Sequence, residues 1–213
     1  VLIYAGTFLP HMYFKSGIID PWFNLFIFLG IYFLGSFLAA KEERKKILKP
    51  LLLSALFTGL GILTKGPVAM MVVLLTYGLF LFFNRGKGLA ALKHYLWWGL
   101  AVIAVTMLWF GLEIAQHGWW FVNEFITYQL RLAKTEDAGH GGFLLYHFVI
   151  VLIGCFPASL LIFRYKNQIH ENSRQQIFRK LMIASFIVIM VVFTIVKTKI
   201  VHYSSFTYLP IGY

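Results

Sequence analysis

The side chains best suited to chemistry are few and lie at the edges of apolar runs: Asp20, Lys65, Arg131, His140, Lys199, His202 and Tyr203. Lys65 raises the sharpest question. It sits in "GILTKGPVAMM" and is the only charged residue between Lys49 and Arg85. A lysine at the middle of a bilayer costs roughly 2.5–3.5 kcal/mol on insertion scales, so such a residue is either functional or placed at a boundary. Each of the others also has a plainer reading. Asp20 precedes Pro21 and could cap a helix. Lys65 could be a turn residue whose ammonium reaches the headgroups. Arg131 and Lys134 could form the wet face of a surface helix. His140 lies close to Glu136 and Asp137, which would suit a metal ion, or it is only a loop residue; no HExxH or paired-Cys spacing supports the metal. The two lysines and the histidine of "KTKIVHY" could anchor a span at the membrane boundary.

The elements that must position these groups follow from composition. Of the 213 residues, 60% are hydrophobic and only 13% charged, against about 25% charged in an ordinary soluble domain. Long apolar runs separated by short charged clusters predict an all-α, polytopic membrane bundle. The alternation of a β-barrel is missing. The net charge of +11 would suit nucleic acid, but the charges flank apolar spans and would meet anionic lipid first. There is no Walker loop, no GxGxxG and no GxSxG. The single Cys155 lies in an apolar run. Apolar sequence at both ends leads us to expect a central piece of a longer protein.

We expect residues 1–213 to be part of one transmembrane domain. Its spans are about 1–14 (partial), 20–40, 51–64, 68–83, 95–112, 143–163, 181–196 and 203–213 (partial), with an outer loop at 113–142. The run 51–83 could be one helix or two. As one helix its 33 residues would be about 50 Å long, too long for an ordinary crossing. As a hairpin turning at Lys65, it puts 41–49 (five Lys and Arg), 84–94 (three) and 164–180 (five) on one side, 13 in all. Six remain on the other side. The positive-inside rule therefore selects the hairpin and makes the Lys65 side the outer one. Gly66 and Pro67 then supply the turn and restart the helix. Within 113–142, Trp119, Val122, Phe125, Ile126 and Leu130 form an apolar stripe, and Asn123, Thr127, Arg131 and Lys134 an opposite polar one. That predicts an amphipathic interfacial helix over about 119–134.

Four stretches, in order, carry a family resemblance: "SGIIDPWFNLFIFLGIYFL", "GLGILTKGPVAMM", "NEFITYQLRL" with "GHGGFLLYHFVIVLIGCFPASLL", and "KTKIVHYSSFTYLP". Together they resemble integral-membrane glycosyltransferases of the aminoarabinose-transferase and protein-O-mannosyltransferase type, in the GT-C superfamily (family 39-like). The resemblance implies transfer of a sugar from a polyprenyl-phosphate carrier to a lipid, glycan or protein acceptor at the outer face of the membrane. The bacterial inner membrane, with a site facing the periplasm, is the expected location. The resemblance makes Asp20 a catalytic acidic residue that assists a further carboxylate upstream. It makes Lys65, Arg131 and Lys199 phosphate ligands, and His202 and Tyr203 substrate-binding. His140 becomes the ligand of a divalent metal ion, the one cofactor expected. The partners implied are the lipid-linked donor, an acceptor and membrane lipid, without nucleic acid. The competing class is a secondary transporter or lipid flippase whose outer-face charges line a path. Inverted repeats would favour it, and the sequence shows none.

Overall fold

The computed structural model describes residues 8–134, 143, 145–156, 159, 171–196 and 199–211. Over these residues the chain is entirely helical. The helices are α1 (Phe8–Ser16), α2 (Asp20–Glu42), α3 (Leu48–Lys65), α4 (Val68–Phe83), α5 (Leu92–His117), α6 (Trp120–Lys134), α7 (Tyr146–Gly154), α8 (Ser173–Ile195) and α9 (Tyr208–Ile211). A 3-10 segment, Val201–Thr207, leads into α9. Four of them (α2, α3, α5 and α8) are long and apolar enough to cross a membrane, and α4 is a shorter apolar helix. The protein is an integral membrane protein.

Helix α2 is the centre of the bundle. It packs on α3 along its length and also meets α8, α4, α1 and the 3-10 segment. Phe23, Ile27, Ile31, Leu34 and Leu38 recur at helical spacing and are buried. Pro21 sits in its first turn, where its fixed φ suits a helix and its missing N–H is no loss. The capping role expected of Asp20 is not used. Ile19 takes the cap position without a side-chain bond, Asp20 is already helical, and its carboxylate is spent on a tertiary contact described below.

In lipid, apolar area does not drive helices together, so close packing and hydrogen bonds must. Helix α3 supplies both. Its buried residues include Ser54, Ala55, Thr58 and Gly59, a stripe of small side chains at helical spacing. The Ser54 hydroxyl donates to the Gly30 carbonyl of α2 at 2.8 Å, and Trp98 Nε1 of α5 donates to Ser54 Oγ at 3.2 Å. A Cβ on Gly59 would lie 2.7 Å from Val105 Cγ1 of α5, so only glycine allows that approach.

The hairpin expected at 51–83 is present. Helix α3 ends at Lys65 and α4 starts at Val68. Gly61 lies against Ala69 near the turn, while Leu51, far from it, shares a cavity with Val73, Leu74 and Tyr77. The two helices therefore run antiparallel. Other boundaries moved. Helix α5 runs over 92–117 rather than 95–112, and α8 begins at Ser173 rather than 181. Hydropathy locates the apolar stretch, whereas the backbone continues helical through polar turns. Asn172 fixes the start of α8 through a reciprocal capping box with Gln175, at 2.9 and 3.0 Å. The span expected from 203 instead starts as the 3-10 segment, followed by one turn of α9. Of the span expected at 143–163, the described part is α7 and the turn that ends it.

The ends of the helices sort into two groups. At one end, Lys41 donates to the carbonyls of Gly88 and Leu89, Arg174 grips Glu43 with bonds of 2.6 and 2.8 Å, and Lys180 donates to Asn84 at 2.7 Å. The loops after α2 and α4 and the start of α8 thus share this basic end. Arg174 first, then Lys45, holds the Glu43 carboxyl well below the usual carboxylate range, at about 2. Asp20, Lys65, Lys199 and His202 collect at the opposite end.

Candidate functional site

At that second end, two residues 45 positions apart form an ion pair. Lys65 Nζ donates to Asp20 Oδ1 at 2.7 Å, with the Asp20 side chain only 6% exposed and that of Lys65 28%. Each is the terminal residue of its helix: Asp20 opens α2 and Lys65 closes α3. The turn between α3 and α4 sets the lysine's position. Gly66 has φ +95° and ψ −172°, a conformation open essentially to glycine alone, and its N–H donates to Ile62 O at 2.8 Å. Pro67 then starts α4 with φ −66°. The Lys65 ammonium also lies 5.3 Å from the ring centroid of Tyr203 and 5.9 Å from that of Phe23, both within cation–π range.

The 3-10 segment brings in the remaining members. Asn24, one turn beyond Asp20 on α2, donates from Nδ2 to Ser205 Oγ at 2.8 Å, and the Ser205 hydroxyl donates to the His202 carbonyl at 2.6 Å. Pinned in this way, His202 places Nε2 3.9 Å from Asp20 Oδ2. The Tyr203 ring lies 5.3 Å from Phe193 of α8. Asp20 therefore meets Lys65 through one oxygen and faces His202 with the other. The site offers an ammonium, an imidazole and aromatic faces around one carboxylate.

Lys199 is close by but differently engaged. It is buried, and its ammonium donates to the carbonyls of Phe193 at 2.9 Å and Thr194 at 2.7 Å. These are carbonyls of the last turn of α8, which have no partner within the helix. A cation there is also favoured by the helix dipole. Burial holds this ammonium below the ordinary lysine pKa. Lys199 thus acts as a clasp on α8. Arg131 lies on the exposed side of α6, its guanidinium 5.3 Å from the Tyr128 ring centroid. Glu113 bonds locally to His117 at 3.1 Å. His140, Glu136, Asp137 and Lys197 lie outside the described residues. Among the described residues no three His, Cys, Asp or Glu side chains converge as a metal site.

The expected interfacial helix is α6, starting one residue later than 119. Its stripe divides. Phe121 and Phe125 pack on Phe110 of α5, with ring centroids 6.2 and 5.5 Å away. Phe125 and Gln129 also press on the Lys65–Gly66 turn: a Cβ on Gly66 would lie 2.8 Å from Gln129 Nε2 and 3.0 Å from Phe125 Cζ. Trp119, Trp120, Ile126 and Leu130 are exposed, apolar side chains that a lipid surface would cover.

Two participants escaped the sequence reading: Asn24 and Ser205. The signal for Asn24 was present, since it is a polar residue inside an apolar run, the same feature that singled out Lys65. Ser205 had no such signal. Comparison with protein-family models, with curated proteins and with solved structures finds no match to this chain.

Proposed function

We propose that this chain is the membrane-embedded part of a glycosyltransferase that moves a sugar from a polyprenyl-phosphate carrier to an acceptor at the outer face. The observation that carries the proposal is the Asp20–Lys65 pair, nearly buried at the end of the bundle opposite the basic loops and flanked by His202 and Tyr203. A lipid-linked sugar presents a phosphate at headgroup depth and a tail that needs apolar helix surface. Transfer leaves charge on that phosphate, and a cation fixed in a water-poor site stabilises it. Lys65 has three N–H donors and gives one to Asp20. The remaining two are the phosphate ligand in this reading. Asp20 is then a positioning residue: it aims the ammonium and faces His202.

Helix lengths favour the same placement. Helix α4 has 16 residues, about 24 Å of rise, against a hydrocarbon core of about 30 Å. Its far end is tied to the basic end by Asn84 and Lys180. The shortfall therefore falls at the Lys65 turn, which is recessed beneath α6. The orientation is the one given by the charge bias, with the basic loops cytoplasmic and the site outside, in a bacterial inner membrane the periplasm.

The test uses the complete protein in nanodiscs, with transfer from polyprenyl-phosphate sugars as the readout. Lys65→Arg should keep part of the rate. Lys65→Met should lose about 30- to 1,000-fold, the equivalent of roughly 2–4 kcal/mol for one lost donor to a developing anion. Lys65→Met within threefold of wild type in folded protein would remove Lys65 from the phosphate site.

A further inference from the structure

His147 lies in the first turn of α7 and is completely buried. Among the described residues neither of its ring nitrogens has a hydrogen-bond partner. A buried donor or acceptor left unsatisfied destabilises a fold, so such a group calls for an explanation. Its neighbours are aromatic. Tyr146 stands edge-on at 5.2 Å and Phe193 lies 6.0 Å away. Phe193 in turn lies 5.3 Å from Tyr203, whose ring lies 5.3 Å from the Lys65 ammonium. A single line of mutually tilted rings thus joins the cation of the candidate site to the unpartnered imidazole. Tyr146, Phe193 and Tyr203 are each only half-buried, whereas the imidazole behind them is wholly enclosed.

We propose that His147 is the sugar-recognising end of this site, hydrogen-bonding a hydroxyl of the carbohydrate whose phosphate lies at Lys65. The proposal rests on the function proposed above and adds the subsite for the transferred group. Two features select a sugar hydroxyl over a second phosphate. A neutral imidazole has one donor and one acceptor, which matches a hydroxyl; a phosphate oxygen only accepts. The rings between Lys65 and His147 also offer apolar faces to the C–H side of a pyranose or furanose, a side that a phosphate lacks. Reaching the imidazole requires Tyr146 or Phe193 to turn aside, so the subsite closes over its ligand.

The complete protein in nanodiscs would be titrated with bare polyprenyl phosphate and with a panel of polyprenyl-phosphate hexoses and pentoses. The gain in affinity on adding the best sugar is the quantity read. His147→Phe and His147→Leu should lower that gain about tenfold or more while leaving the affinity for the bare carrier unchanged. His147→Gln, which keeps a donor and an acceptor, should retain most of it. Both apolar variants should melt at or above the wild-type temperature, because they remove an unpartnered buried polar group. A sugar gain that survives in both apolar variants would overturn the proposal. So would an equal loss for the bare and the glycosylated carrier, or an apolar variant too unstable to titrate in both cases. A wild type that binds neither carrier would instead overturn the proposed function itself, and this subsite with it.

Discussion

Asp20 and Lys65 are coupled by charge, and that coupling predicts how each tolerates replacement. Asp20 is 4% exposed, so removing the lysine leaves a carboxylate with little water and only His202, 3.9 Å away, facing it. For a buried pair, loss of one member costs roughly 3–5 kcal/mol, less to the extent that water reaches Lys65; replacing both members by neutral groups is often close to neutral. We therefore expect Lys65→Met alone to destabilise the bundle clearly and Asp20→Asn alone to destabilise it less. The double variant should come back towards wild type. Reversible unfolding in mixed micelles would give a coupling energy above about 1 kcal/mol. Additive single effects would mean that the pair contributes nothing to the fold. This cycle also protects the functional test: if Lys65→Met is too unstable to assay, the double variant supplies a folded protein without the cation.

The turn between α3 and α4 was legible in the sequence, and its tertiary partner was not. Length and charge bias located the hairpin, because 33 apolar residues exceed a bilayer and a lone lysine must find water. Gly-Pro after it specified the break. What the sequence could not convey was the partner of that lysine. The Asp20–Lys65 contact spans 45 positions and depends on how α2 and α3 pack, through the bond from Ser54 to Gly30 and the approach of Thr58 to Gly30, a choice of partner that neither helix's own pattern specifies. Nor could local pattern foresee that Asp20 would leave its capping role, that Lys199 would turn back onto its own helix, or that a 3-10 segment pinned by Asn24 would deliver His202. Those outcomes are tertiary choices among locally equivalent options. The turn itself makes a prediction. Gly66→Ala must hold φ near +95° and fit a Cβ against Gln129 and Phe125. A backbone outlier of this kind costs about 1–3 kcal/mol in a non-glycine residue. Adding Gln129→Ala should recover the steric part only, leaving a residual loss. Full recovery in the double variant, measured by thermal unfolding, would show that the backbone there is free to relax.

At the scale of the molecule, the structure divides its ionisable groups between two ends, and the division has a direction once a membrane is supplied. Lys41, Glu43, Asn84, Arg174 and Lys180 interlock at one end, where the described residues of 41–49, 84–94 and 171–180 carry 11 lysines and arginines. The candidate site occupies the other end. Exposed aromatic residues mark both boundaries: Trp97, Phe82 and Phe83 towards the basic end, and Trp22, Trp109, Trp119 and Trp120 towards the site. Such girdles lie at headgroup level. The proposed orientation keeps the basic end in the cytoplasm, since translocating that many cations is disfavoured. Cysteine labelling can check it directly. The only native cysteine, Cys155, is fully buried, so it adds no background. Lys46, Lys87, Gln116 and Asn123 are all exposed, the first two in loops at the basic end and the others at the end of α5 and on α6. In intact cells, a membrane-impermeant thiol reagent should modify Gln116→Cys and Asn123→Cys and leave Lys46→Cys and Lys87→Cys untouched until the membrane is opened. The opposite pattern would invert the protein and place the Asp20–Lys65 site in the cytoplasm, where a carrier-linked sugar presented outside could not reach it. Labelling that separated Lys46 from Lys87 would contradict the shared end itself, because the loops after α2 and α4 are joined there by Lys41.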